Sequence, residues 1–287
     1  EIAQCLVGSE MCIRDRYKGD AIIKVDAHAV IPEDFVSKNV RVLETGEYIC
    51  GGQRPNIIDK PTPFKETLLL AESSMFGSSI ASYRNNPGKT YVKSLFHAAY
   101  RREVFEKVGF FNEELVRTED NEIHYRMRKA GYKLCFDPDI ISYQYTRSSL
   151  KAMLKQKYAN GYWIGKTSKV CPKCLSIYHF VPFAFVSAII ASGSVIGATG
   201  LAECIKKRHN HTLGKGISAL RKVTVVLTTV MWVLYALMAS GMAAVSAFKA
   251  EDKRNITNAC LPVLFLLLHL SYGIGTIAGL MDKSKRG

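Results

Sequence analysis

Two groups of carboxylates stand where side chains could do chemistry. Asp26 closes the run Asp20-Ala21-Ile22-Ile23-Lys24-Val25-Asp26, whose composition predicts a buried strand that ends in an acid. Glu119, Asp120 and Glu122 put three carboxylates into four positions directly after Thr118. A carboxylate at a strand end can ligate a divalent cation, and one facing an acceptor can take its proton. Each also has a plainer role. Asp26 could be a turn acid capping the next segment. Acids in a first helical turn are favoured by the helix dipole by roughly 0.3–1 kcal/mol each, and Thr118 reads as the N-cap in front of them. Three carboxylates exceed what a cap needs.

Such acids need elements to hold them. Apolar strand-like runs alternate with amphipathic helices and Gly/Pro turns, which predicts an α/β sandwich over residues 17–150. The spacing predicts strands over 21–25 and 48–53, helices over 32–43, 65–75 and 101–108, and a short strand over 134–136 that runs into Asp137-Pro138-Asp139. Ile123, Arg126, Met127 and Ala130 recur at helical spacing, so a helix is predicted over 119–129, closed by Gly131 in the C′ position.

Val25-Asp26-Ala27-His28-Ala29 resembles the D-x-D position of family-2 glycosyltransferases, in the form found in a succinoglycan-type glucosyltransferase branch. Phe111-Asn112-Glu113 followed by Thr118-Glu119-Asp120-Asn121-Glu122 resembles that family's acceptor-side motifs, and His269-Leu270-Ser271-Tyr272-Gly273-Ile274-Gly275 is similar to a sequence near the C-terminus of the same branch. The four features occur in the family's order and span nearly everything from Tyr17 onward. The resemblance implies a GT-A-like (Rossmann-like) sheet with flanking helices, followed by transmembrane helices. It implies a nucleotide-sugar donor and a divalent cation, Mg²⁺ or Mn²⁺, at Asp26, with His28 either a direct ligand or behind one. It assigns the proton-accepting base to Asp120, with Glu119 beside it, and direct displacement with inversion. The expected acceptor is a lipid-linked saccharide, in exopolysaccharide or envelope-glycan synthesis. A polyprenyl-phosphate sugar synthase and a non-enzymatic membrane scaffold or transporter are the alternatives. In the family the first nucleotide-binding strands precede the D-x-D strand. This stretch alone is therefore expected to lack them and to turn over little.

Gln156-Lys157-Tyr158-Ala159-Asn160-Gly161-Tyr162-Trp163 loosely resembles the family's Q-x-x-R-W motif, without its Arg. Gln156, Tyr158 and Trp163 are the substrate-binding candidates here, and Lys157 or Lys166 could supply the missing charge. A competing reading makes residues 151–176 an interfacial amphipathic segment, with lysines toward headgroups and Tyr/Trp in the aromatic belt. Arg84, Arg101 and Arg102 read as solvated surface.

Composition places the rest. The chain is 48% hydrophobic yet carries a net charge of +14. Three apolar stretches, 177–202, 223–248 and 259–281, form a membrane domain over 177–287, since about 20 apolar residues cross a bilayer as a helix. Residues 1–176 hold 27 Lys/Arg against 21 Asp/Glu, while the remaining 111 hold 12 against 4, nearly all beside the apolar runs. That pattern fits anionic headgroups rather than nucleic acid, and no basic helix or aromatic platform for nucleic acid is present. The expected location is a bacterial plasma membrane, multi-pass, with the catalytic domain cytoplasmic. Three simple crossings would put the basic Glu203–Lys222 loop outside. The expectation is therefore that the first run, interrupted by Pro182 and three glycines, re-enters or lies along the interface, which leaves the Lys249–Asn258 loop external. His269 lies within the third run, where a hydrogen bond between helices is expected. Cys171 and Cys174 form half a zinc site at best, and free thiols are expected. Residues 1–16 read as a non-native leader, because Met11 to Arg16 resembles the translation of a sequencing adapter.

Overall fold

The computed structural model describes residues 19–26, 29–77, 88–208, 214–250 and 255–283. The leader, His28 and Arg84 lie outside the described residues. The expected α/β domain is present. Its main sheet has the order β1 (Ala21–Ile23), β6 (Ala99–Arg101), β3 (Ile49–Gln53), β7 (Leu134–Ile141), β5 (Thr90–Val92). Only β3 and β7 run parallel. A second sheet joins β2 (Ala29–Val30), β8 (Tyr143–Tyr145) and β4 (Asn56–Ile57).

Alternation along the strands sorts the core onto two faces. Ile49, Tyr100, Leu134 and Phe136 pack with α3 (Arg102–Val108) and α4 (Glu119–Lys129), around Val104, Phe105, Ile123 and Met127. Cys50, Ala99 and Cys135 face the other way, onto Phe35, Val42 and Leu43 of α1 (Phe35–Glu44). Ile22 belongs to the α4 side and Ile23 to the α1 side. Lys24, whose amide bonds the Ala98 carbonyl, continues this alternation and returns to the α4 side. Period two thus aims the end of β1 at the first turn of α4.

Two local expectations are corrected. β7 does not stop at Phe136. It continues through Asp137-Pro138-Asp139 to Ile141 by bulging against β3: Gly51 pairs with Phe136 and Gln53 with Ile141, so the extra residues lie on β7. Gly52 makes that possible, since a Cβ there would collide with the Asp137 and Ile140 carbonyls. Thr118 occupies the N-cap position of α4, but its side chain does not cap the helix. Its hydroxyl is bonded instead to Thr167 on α5 (Leu150–Val170). Gly131 follows α4 with φ +94°, as a C′ glycine should.

Three helices are long and apolar enough to cross a membrane. α6 (Val181–Arg208) is one uninterrupted helix of 28 residues, about 42 Å long at 1.5 Å per residue, so Gly193, Gly197 and Gly200 do not turn it back. It pairs antiparallel with α7 (Lys215–Lys249): Phe185 stacks on Tyr235 with ring centres 4.7 Å apart, and Glu203 pairs with Arg221 near the far end. α8 (Leu261–Met281) instead runs parallel to α5 at backbone contact. Cβ atoms at Gly161, Gly275 and Gly279 would strike the Tyr272, Tyr158 and Tyr162 carbonyls. α5 is thus a packed helix rather than one lying free on a bilayer surface. α2 (Pro63–Ser73) meets the start of α8, where Leu68 and Ala71 pack with Leu261, Leu264 and Phe265. Thr67 there bonds Asn258 at 2.8 Å, so Asn255–Cys260 sits against the α/β domain. His269 makes the expected interhelical bond, to Tyr235 at 2.9 Å, and a second to the Phe76 carbonyl at 2.7 Å.

Candidate active site

Lys24, just past the end of β1, reaches two acids of the second group that the sequence singles out. Its Nζ lies 2.6 Å from Asp120 Oδ1 and 2.9 Å from Glu119 Oε1, and 4.7 Å from the centre of the Phe111 ring. Phe111 belongs to the Phe111-Asn112-Glu113 motif, so two motifs converge on one ammonium. Burial works against the charge on Lys24, but Asp120 and Glu119 outweigh it and hold its pKa above the ordinary lysine value. Glu119 is pushed the opposite way for a carboxylate. Burial and then the Asp120 charge raise it, with Lys24 pulling back. Its second oxygen, Oε2, is buried without a hydrogen-bond partner among the described residues.

The floor of this cleft is a closed polar chain. His124, one turn beyond Asp120, accepts or donates to Tyr100 Oη at 2.8 Å and Ser94 Oγ at 3.1 Å. Full burial lowers its pKa to about 4, against the pull of Asp120, so the ring is neutral and its two nitrogens divide between donor and acceptor.

Asp26 lies two residues beyond Lys24, about 7 Å along an extended chain. Its Oδ2 is 3.5 Å from His97 Nε2. The His97 ring meets Phe96 edge to face at 5.3 Å, and the Arg54 guanidinium lies 3.8 Å over the Phe96 ring. The chain leaving β1 thus carries Lys24 to the first turn of α4 and, two residues on, Asp26 to His97. Among the described residues no three His, Cys, Asp or Glu side chains cluster as a metal site. A cation held by Asp26 would have to draw its other ligands from a bound diphosphate, water or residues beyond the described ones. Mg²⁺ is ordinarily bound that way, by one or two carboxylates plus substrate phosphates, and a half-buried acid just beyond a strand end fits such use.

The α5 candidates are placed differently. Trp163 is 9% exposed, edge-on to Tyr162, and Tyr158 is 41% exposed. Gln156 Oε1 is buried without a hydrogen-bond partner. Lys157 is buried against Glu72 at 3.3 Å, and Lys166 pairs with Asp282 at 3.2 Å, so neither is placed to supply the missing arginine charge. The link from α5 to the acids runs through Thr167–Thr118 and through Arg117 Nη1, 3.1 Å from Asn160 Oδ1. Arg101 and Arg102 bond backbone carbonyls of Leu43, Glu47 and Gly19 and take no part in the cleft.

Sequence reasoning missed Lys24, His97 and His124. A lysine inside an apolar strand was the available signal for Lys24, since such a charge needs a buried partner. Nothing local marks His97, whose partners are 71 and 45 positions away.

Comparison with known proteins gives the family. A family model described as glycosyl transferase family group 2 matches residues 21–276. The succinoglycan biosynthesis protein ExoA of Rhizobium meliloti is 27% identical over 145 residues, 50% of this chain and 43% of that protein. A dolichyl N-acetyl-alpha-D-glucosaminyl phosphate 3-beta-D-2,3-diacetamido-2,3-dideoxy-beta-D-glucuronosyltransferase of Methanococcus voltae is 24% identical over 180 residues, 60% of this chain and 54% of that protein. The O-antigen chain rhamnosyltransferase RfbN of Salmonella typhimurium is 29% identical over 133 residues, 44% of this chain and 42% of that protein. The chain thus spans about half the length of these relatives. With the α/β sheet, the acidic cleft and the apolar helices all inside the matched span, the chain belongs to glycosyl transferase family group 2.

Proposed function

We propose that this protein moves a glycosyl unit from a nucleotide-sugar donor to a lipid-linked saccharide at a membrane surface, with inversion at the anomeric carbon. The observation that carries this reading is the Lys24 bridge, which holds the end of β1 and the first turn of α4 in one cleft. Departure of the nucleotide develops negative charge on a diphosphate. A Mg²⁺ or Mn²⁺ ion supplies Lewis-acid neutralisation of that charge when bound. Asp26 is its carboxylate ligand in this reading, and His28 is the neighbouring candidate.

Asp120 serves as the base for the acceptor hydroxyl. Lys24 holds its carboxylate in place at 2.6 Å, and Glu119, bonded to the same ammonium, stands beside it. Gln156, Tyr158 and Trp163 remain candidates for the acceptor side, with Tyr158 the most exposed of them. A lipid-linked acceptor is supported by the packing of α5 and α8 against the cleft-bearing domain, which sets the acids close to helices of membrane-spanning character. The name of the Methanococcus relative, a glucuronosyltransferase named for a dolichyl N-acetyl-alpha-D-glucosaminyl phosphate, points the same way.

The test is transfer by the full-length protein in membranes, with labelled nucleotide-sugar donors and extracted lipid-linked saccharides. Asp120→Asn is expected to lower turnover by about 10²–10⁴-fold, the usual contribution of a general base, with the donor still bound. Equal turnover in wild type and Asp120→Asn would remove the base. The absence of any transfer with every donor would favour a scaffold.

A further inference from the structure

We infer that His97 is a positioning residue for the Asp26 carboxylate, an inference that rests on the proposed role of Asp26 at the cation and diphosphate site. The imidazole is 3% exposed. Its Nε2 is buried with no hydrogen-bond partner among the described residues and faces Asp26 Oδ2 at 3.5 Å. A buried ring nitrogen left unbonded costs free energy that a structural histidine would recover elsewhere. Here the nitrogen is held in place from behind. Nδ1 lies 2.9 Å from Ser142 Oγ, while the same hydroxyl is 3.4 Å from the Gln53 carbonyl. The hydroxyl has one proton to give, to the Gln53 carbonyl or to Nδ1; in the arrangement inferred here it goes to Nδ1, the shorter contact, and the ring proton sits on Nε2, pointing at the carboxylate.

The backbone agrees. His97 has φ +49°, one of two non-glycine residues in the left-handed region among those described, and such conformations persist where surrounding structure holds them. The ring is clamped further by Phe96, itself under the Arg54 guanidinium. At 3.5 Å the Nε2–H is just beyond a good hydrogen bond. With a cation engaged by one Asp26 oxygen, the other closes on this proton, which fixes the carboxylate's orientation. Hydrogen bonds of this kind to a ligating carboxylate are worth about 10–100-fold in metal affinity.

The test uses the full-length protein and the probe Mn²⁺ with inorganic pyrophosphate, followed by calorimetry and by the free-Mn²⁺ electron paramagnetic resonance signal, with thermal melting alongside. His97→Phe is expected to weaken Mn²⁺–pyrophosphate binding about tenfold or more at an unchanged melting temperature, and Ser142→Ala to weaken it less. His97→Gln keeps an N–H near the Nε2 position and is expected to recover most of the loss. Donor KM should rise in His97→Phe more than kcat falls. Wild-type binding by His97→Phe would overturn the inference. So would equally weak binding by His97→Gln and His97→Phe in folded protein, which would make the imidazole itself the ligand. A loss of binding that tracks a lowered melting temperature in both variants would reduce His97 to a packing role and also overturn it. Asp26→Asn separates the two readings: if it binds the probe like wild type, the site assignment fails, whereas its loss beside an intact His97→Phe sinks the His97 inference alone.

Discussion

Lys24 carries two carboxylates on one ammonium, and removing it exposes what the arrangement costs. Breaking a mostly buried pair by deleting one partner costs roughly 3–5 kcal/mol, and here it would leave Glu119 and Asp120 side by side without a counter-charge. Lys24→Met should therefore lower the melting temperature markedly, and adding Glu119→Gln should restore much of it by removing one of the two like charges. No recovery in the double variant would mean that Lys24 matters for packing rather than charge. His124 gives a second test, by pH. The unfolded chain protonates it at an ordinary histidine pKa near 6.5, whereas the folded ring holds out to about 4. The unfolded state thus binds more protons between those values, and stability falls as pH drops through that window, by at most about 3 kcal/mol. Glu119, raised in the fold, works in the opposite direction, so the check is the difference between wild type and His124→Gln in melting temperature at pH 7 and pH 4.5. The variant should be flatter. Asp26, Glu119 and Asp120 were legible because their motifs are local. Lys24 and His97 were not, since what makes them matter is a partner 95, 96 or 71 positions away, and no periodicity reports that.

At the scale of elements, α4 was legible to its ends, because a periodic apolar face, first-turn acids and a C′ glycine all agree on Glu119–Lys129. β7 was underestimated because a strand passing a bulge through Asp-Pro-Asp contradicts local propensity, and the permission comes from Gly52 on another strand. The α5–α8 contact is the larger omission. Gly161 and Gly165 on one helix, and Gly275 and Gly279 on the other, each show a four-residue spacing of the kind that lets helix backbones touch, yet spacing does not say which helix answers which. The structure pairs them, and it also explains why α8 is apolar on nearly every side: it is covered on most of them, with Val263, Ile274 and Met281 the large side chains left exposed. Placing Val at Gly161 or Gly275 drives methyl groups into the Tyr272 or Tyr158 carbonyl. Overpacking of this kind costs about 1–3 kcal/mol per site, and more where backbone cannot yield. The expected readout is a lower melting temperature in detergent together with loss of the Tyr162 and Lys166 contacts to Asp282, seen as increased proteolysis after Met281. Ala at Gly193, where nothing lies within 4 Å, is the matched control and should be neutral.

At the scale of the whole molecule, the fold and the membrane stretches disagree over which loops share a side. A first run that re-enters or lies along the interface puts the Lys249–Asn258 loop outside, but Asn255, Thr257 and Asn258 bond Pro63 and Thr67 of α2, so the end of that loop is on the side of the α/β domain. Both ends of α8 are tied to that domain as well, the first through Thr67 and the second through Asp282, α5 and Thr118. What projects is the α6–α7 hairpin. From about Ile190 on α6 and up to about Trp232 on α7 it touches little but itself, which is roughly 27 Å of helix at 1.5 Å per residue, close to the hydrocarbon thickness of about 30 Å. Its far end carries Lys206, Lys207, Arg208, Lys215, Arg221 and Lys222, and the positive-inside rule opposes exporting them. Yet Lys166, Lys169, Lys173, Lys249 and Lys283 flank the same helices at the domain end, so charge counting does not assign the far end to the cytoplasm. The geometry does decide the relation between the two: positions 215 and 255 lie at opposite ends of a helix of membrane-spanning length. Single cysteines in a cysteine-free background, treated in intact cells with an impermeant maleimide, should therefore label at Lys215→Cys and stay protected at Asn255→Cys if the α/β domain faces the cytoplasm. Labelling at 255 alone would turn the domain outward. Labelling at both, or at neither with both reactive after lysis, would place the two positions on one side and show that the hairpin lies along the membrane instead of crossing it.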